Sequence, residues 1–223
     1  MRLGTRQTRY APVRRECGRA LTESRRLVGP AGDIMLAARS LFERQGVAKT
    51  TVKDVAAEAG VTRELVYYYF ENKQAVIDAV LDDYVEDLVE SVIVWNESRR
   101  FGDTPGSLRA CIATFRRALY DAEGNPRPMI GVLEELGERD AFDVRAVRET
   151  VDCINDNIVA EYAEYHQVEI EFVYEMFCVV IFGLVGLVKI NPAISDEALM
   201  KVVEQALHLD MQPLEAPPDE SRA

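Results

Sequence analysis

An all-α protein is what this sequence predicts, on three observations. Apolar residues recur at helical spacing over nearly the whole chain. No stretch of any length alternates with the period of two that a half-buried strand needs. The segments are closed by glycine, proline and capping residues, and no internal repeat interrupts them. From Asp33 to Gln45, Ile34, Ala37, Ala38, Leu41 and Phe42 fall at i, i+3, i+4, i+7 and i+8, one stripe that Gly46 stops. In TVKDVAAEAG, Thr51 and Asp54 have the spacing of a capping box, Val52, Val55, Ala56 and Ala59 form a short apolar face, and Gly60 suits the position after the helix. Thr62 can cap the next helix, with Glu64 at the positive end of its dipole. A longer helix starts near Asn72, carries Val76, Ile77, Val80, Leu81, Tyr84, Leu88, Val92 and Trp95 on one side, and breaks in RRFGDTPGS at 99–107. Helices are further expected over about 107–121, 129–138, 141–165 and 168–190, with EGNPRP at 123–128 between the first two. NPAIS at 191–195 ends the last of these, and Ser195 caps a final helix through Leu209. The Pro-rich acidic tail QPLEAPPDESRA reads as disordered.

Composition sets the setting. With 48% apolar residues the chain can bury a sizeable core. Its four cysteines are scattered without a CxxC pair, which fits free thiols in a reducing cytosol. There is no apolar leader. The longest apolar run, FCVVIFGLVGLVKI at 177–190, falls short of the ~20 residues of a membrane span and contains Lys189. The reading is a cytoplasmic protein with no membrane partner. The net charge of −12 is unevenly spread. Residues 1–28 hold eight arginines against Glu16 and Glu23, whereas residues 75–223 hold 12 basic and 30 acidic residues. Contact with a polyanion must therefore come from the N-terminal third. The arginine run is either a solvated leader or an arm that grazes nucleic acid.

Tyr67, Tyr68 and Tyr69 stand side by side in VTRELVYYYFENK. At about 100° per residue, three adjacent rings fan over roughly 200° of a helix and cannot share one buried face. Two short helices, 51–59 and 62–70, meet at the tight turn AGVT, with Ala56 and Ala59 allowing close approach and Val61 plugging the joint. That is the shape of a helix-turn-helix. Val66 and Phe70 then point inward at i, i+4, and the tyrosines sweep the remaining circumference. Stiff, amphipathic rings with hydroxyl tips can rest on a sugar edge and reach a phosphate. Plain solvent would be met as well by Lys, Glu or Gln.

With AARSLFERQG, TTVKDVAAEAGVT, VYYYF, NK and AVIDAV in view, residues 31–80 resemble the DNA-binding domain of the TetR family of bacterial transcriptional regulators. The resemblance implies a three-helix DNA-binding domain over 29–75, its helix-turn-helix at 51–70. An Arg-rich arm at 1–28 precedes it, a helical effector-binding and dimerisation domain at 76–211 follows it, and the tail occupies 212–223. Position by position it implies backbone contacts for Thr51 and Lys53. It implies a groove-facing set of Thr62, Arg63, Leu65, Tyr67, Tyr68 and Tyr69, and a phosphate-binding role for Lys73. Arg63 is the candidate for reading a guanine through a bidentate pairing. Glu64 departs from the pattern, since relatives usually carry Gly or Pro there. A carboxylate at that place is repelled by phosphate but can accept from a cytosine amine.

The same resemblance implies an apolar effector cavity and a two-fold interface. Candidates for the cavity are Trp95, Phe115, Met129, Tyr162, Tyr174 and Phe177, although each residue of this kind, taken alone, is more often ordinary core than ligand wall. FGLVGLV spaces Gly183 and Gly186 so that a neighbouring helix can come close, and the helix around them is apolar nearly all round. Phe182, Gly183, Gly186, Leu187, Val202 and Leu209 are the interface candidates. A two-fold dimer presents its recognition helices to half-sites about 34–36 Å apart on a pseudo-palindromic operator. Catalytic motifs are missing: there are two histidines, His166 and His208, and no HExxH, GxSxG, GxxxxGK[ST] or GxGxxG. No enzyme, metal or cofactor is expected. The sequence thus reads as a dimeric regulator, a repressor released from operator DNA by a small molecule. The alternative is a helical dimeric protein-interaction module that does not bind DNA specifically.

Overall fold

The computed structural model describes residues 27–100, 103–159 and 171–209. The arginines of the N-terminal arm, Phe101, Tyr162, Tyr165, His166 and the acidic tail lie outside the described residues. Among the described residues the regular elements are helices, apart from one isolated bridge between Tyr120 and Pro126.

Four helices build the N-terminal part: α1 (Gly29–Gln45), α2 (Val52–Glu58), α3 (Arg63–Tyr69) and α4 (Lys73–Ser98). Helix α1 begins ahead of its apolar stripe because Pro30 sits in the first turn, where a missing N–H costs nothing. It ends at Gly46, φ +86°, whose N–H reaches the Phe42 carbonyl at 3.0 Å. The capping box of α2 forms in both directions. Asp54 N–H donates to Thr51 Oγ1 at 3.2 Å, and Thr51 N–H donates to Asp54 Oδ2 at 2.8 Å. Gly60, φ +68°, turns the chain, and the Val61 N–H returns to the Ala56 carbonyl at 2.9 Å. Thr62 caps α3 by accepting from Leu65 N–H at 3.3 Å, and Asn72 caps α4 by accepting from Ala75 N–H at 3.0 Å.

The remainder comprises α5 (Thr104–Leu119), α6 (Pro128–Leu136), α7 (Arg139–Ile154), α8 (Val173–Ile190) and α9 (Asp196–Ala206). Helix α5 starts before the expected 107 because the Asp103 carboxylate caps it, accepting from Gly106 N–H at 2.8 Å. Helix α7 gives way to a π-helical turn, Asn155–Val159, where a single long helix was expected.

Two apolar cores result. The first joins α1, α3 and α4 (Ile34, Phe42, Val66, Phe70, Val80, Tyr84) to Met129 and Leu133 of α6 and Phe142 of α7, so one apolar layer runs from the three-helix head into the body. The second packs α5 against α8 and α9 through Ile112, Leu184, Val188, Leu199 and Val203. Arg39 ties α1 to α4. Its guanidinium pairs with Asp83, with Asp87 at 2.7 Å and with Glu43 at 3.2 Å, and lies 4.6 Å over the Tyr84 ring. The Tyr84 hydroxyl in turn donates to Glu43 at 3.0 Å. Burial, then the Glu43 charge, pushes that phenol well above its usual pKa, so it stays a donor.

Helix α8 is a different matter. Val173, Val180, Leu184 and Val188 are buried, while Val179, Phe182 and Ile190 remain exposed on the single chain. Its 18 residues, of mean hydropathy 2.1, are long and apolar enough to cross a membrane by length and composition, contrary to the expectation from the run's length. Only 22% of that stretch is buried within the chain.

Candidate nucleic-acid interface

Helix α3 divides its residues sharply. Val66 and Phe70 are 0% and 6% exposed in the first core, while Tyr67, Tyr68 and Tyr69 are 42%, 79% and 41% exposed. The three rings are organised. Arg63 Nη2 donates to the Tyr67 hydroxyl at 3.1 Å with its guanidinium 5.3 Å over the ring, an i, i+4 pair that fixes both side chains. Tyr68 and Tyr69 meet edge-to-face, centroids 5.0 Å apart. Thr62 and Arg63 are exposed on the same helix end, and Thr51 and Lys53 on the start of α2; Leu65 is half-buried.

Glu64 folds back. Its carboxylate is held below the usual range by the N–H of its own residue, then by the Thr62 hydroxyl, with Arg63 adding a smaller pull. It therefore serves the N-terminus of α3, as its place in the first turn of the helix suggests. Lys73 is also engaged within the chain: its Nζ donates to the Val47 carbonyl at 2.6 Å in a half-buried contact.

The cavity candidates are dispersed. Met129 is buried in the first core, and Phe115 and Phe177 each pack against the second. Trp95 is half-buried; its Nε1–H donates to the Ser107 carbonyl at 2.9 Å, and Arg99 lies 5.4 Å over its ring. The Tyr174 hydroxyl donates to Asp152 at 2.9 Å. A cleft of 310 Å³ opens instead between α1 and α4, lined by Leu27, Met35, Ala75, Ala79 and four acids, Asp78, Asp82, Asp83 and Glu86. Of the interface candidates, Phe182, Gly183 and Val202 are exposed and Gly186, Leu187 and Leu209 half-buried. A Cβ on Gly183 or Gly186 would meet nothing within 4 Å. Cys178, expected inside the core, is half-buried, and burial raises its thiol pKa. Burial likewise pushes Cys111 up to about 11. Among the described residues no group of three or more His, Cys, Asp or Glu could hold a metal ion.

Sequence reasoning missed the two long-range anchors of the head, Arg39 and Glu135. Glu135 on α6 accepts from the N–H groups of Val47 and Ala48, and the sequence holds no periodicity that pairs it with a loop 88 positions earlier.

Two short helices crossing at a glycine turn, the second sealed by Val66 and Phe70 beneath an outward aromatic face, define a helix-turn-helix protein. Residues 34–80 match the family model described as bacterial regulatory proteins, tetR family. The match to that family thus covers the helix-turn-helix head, about a fifth of the chain. It is 45% identical over 53 residues to the HTH-type transcriptional regulator TtgR of Pseudomonas putida, 24% of this chain and 25% of that protein. It is 32% identical over 60 residues to the HTH-type transcriptional repressor KstR2 of Rhodococcus jostii, 27% of this chain and 29% of that one. The matches thus span between 25% and 29% of the length of these curated relatives. Among solved structures, the fatty acid degradation regulator FadR from Bacillus halodurans superposes with a TM-score of 0.54 over 81% of this chain and 96% of that chain, at 19% identity. That likeness extends the shared fold beyond the head.

Proposed function

We propose that the chain is a sequence-specific DNA-binding transcriptional regulator, a repressor that works as a homodimer in the cytoplasm and leaves a pseudo-palindromic operator when a small molecule binds its body. The observation that carries the reading is the surface of α3: three tyrosines and Arg63 face outward from a helix whose other side is sealed in the core. Such a face can lie in a major groove, with Arg63 reaching a guanine and the tyrosine hydroxyls meeting phosphates. In this reading Thr51 and Lys53 add backbone contacts, with Thr62, Leu65 and Lys73 at the margins. The name of KstR2, a transcriptional repressor, supports the direction of the effect. Residues 29–75 form the reading head and 76–211 the effector-binding and dimerisation domain, paired through the exposed apolar side of α8 and Val202 of α9.

A fluorescence-anisotropy titration tests it, using a labelled duplex from upstream of the chain's own gene at two salt concentrations. Binding that weakens steeply with salt, and that Arg63→Ala reduces by roughly 5- to 150-fold, is the expected result. Binding that is absent, or indifferent to salt and to Arg63, would favour a protein-interaction module.

A further inference from the structure

The loop between α1 and α2 is held by groups that lie outside it. Val47 sinks its side chain into the first core, but its backbone N–H donates to Glu135 Oε2 at 2.8 Å, and the next N–H, of Ala48, donates to Glu135 Oε1 at 2.6 Å. Each carboxylate oxygen of Glu135 takes one donor, a two-point grip from α6 on the head. The Val47 carbonyl accepts from Lys73 Nζ at the start of α4. Gly46 makes room: a Cβ there would stand 2.7 Å from Glu135 Oε2. On the far side of the loop, Thr50 is buried and its hydroxyl donates to the Gly46 carbonyl at 2.8 Å. The next residue is Thr51, the cap of α2. The pose of the α2–α3 unit is thus set at a junction of three elements, one of them beyond the matched residues 34–80.

We propose that Glu135 is a positioning residue for DNA binding, its carboxylate holding the Val47–Ala48 backbone and so fixing from the body the angle at which α2 and α3 meet the duplex. This rests on the reading of the α3 face as a DNA-binding surface. A carboxylate holds two backbone N–H groups far better than a neutral amide does, because both bonds are charge-assisted. Two accounts of Glu135 then predict opposite signs. If it were only one more anion near a polyanion, removing its charge would tighten binding. If it positions the head, removing it weakens binding.

The test uses the full chain with Glu135→Gln and Glu135→Ala, titrated against the same duplex over a salt series. Amide hydrogen exchange at Val47 and Ala48 and the thermal midpoint are read in parallel. The expected result is a loss of about tenfold in affinity, the scale of a charge-assisted pair. The slope of log K against log salt stays unchanged, because no phosphate contact is lost. Exchange at the two amides accelerates, and Tm moves little because Glu135 is exposed. Gly46→Ala, which strains a backbone at φ +86° and crowds Glu135 Oε2, weakens binding too. Variants that bind as tightly as the wild type, or more tightly, or that leave the two amides protected, would overturn the assignment while the DNA-binding reading stands. A wild-type chain that binds no duplex would overturn both.

Discussion

Val66→Ala and Tyr68→Ala, two residues apart on α3, are expected to separate stability from DNA binding. Val66 is fully buried beside Phe42, Phe70 and Val80, so the change removes two buried carbons. At about 0.8 kcal/mol per buried CH2 that is ~1.6 kcal/mol, and the cavity brings the loss to about 2–3 kcal/mol. For a chain of this size each kcal/mol moves Tm by about 2–4 °C, so Val66→Ala should lower it by roughly 4–12 °C. Tyr68 is 79% exposed, and its ring meets that of Tyr69, itself exposed. Its loss should stay within about 0.5 kcal/mol, a shift of ~2 °C or less. Affinity for the operator duplex should respond the other way, with Tyr68→Ala weakening it by about 1–3 kcal/mol, roughly 5- to 150-fold. Differential scanning fluorimetry and anisotropy at one fixed protomer concentration read both quantities. If Tyr68→Ala lowers Tm as much as Val66→Ala, or leaves affinity untouched, the outward aromatic face is not what meets DNA.

Removing Arg39 should cost about 3 kcal/mol, because one side chain pairs with the buried Asp83, with Asp87 and with Glu43 and so ties α1 to α4; a Tm lower by roughly 6–12 °C in a thermal melt is the expected reading. If α8 pairs two copies as proposed, sedimentation velocity should find dimers for the wild type and monomers for Phe182→Glu, which puts a carboxylate on the exposed side of that helix. The carboxyls of Asp54 and Glu135 both sit below their ordinary pKa, the first through the Thr51 hydroxyl and N–H, the second through the N–H groups of Ala48 and Val47. A depressed folded-state value means that each contribution is fully present above the unfolded-state pKa and fades as pH falls through the folded one. The α1–α2 loop and the start of α2 should therefore stay protected at neutral and mildly acid pH and open only below the usual carboxylate range, as hydrogen exchange against pH will report.

What could be read from the sequence was what is local. The capping box, the Thr62 and Asn72 caps and the Gly46 and Gly60 stops depend on neighbours within four positions, so residue types alone placed α1–α4 to within a few residues. The split of α3 into a sealed and an open side followed from helical geometry. Three adjacent rings cannot hide together, and they do not. The placement of the candidate cavity residues did not follow, because a helix with apolar residues on several sides does not declare its partner. Met129 went to one core and Phe115 to the other. Glu135 and Arg39 were illegible for the same reason. Their partners lie 44 to 88 positions away, and a surface-type residue at such a node looks like any other charge until the chain is folded.

The apolar layer shared by α1, α3, α4, α6 and α7 has a consequence for how this architecture can be recombined. A chimera cut at residue 75 would sever Met129, Leu133 and Phe142 from the side chains they cover, and would strip the α1–α2 loop of its foreign carboxylate. Heads from other relatives could be transplanted here only together with a compatible α6, and the natural seam for exchange lies between the two cores, not behind the domain that the sequences share.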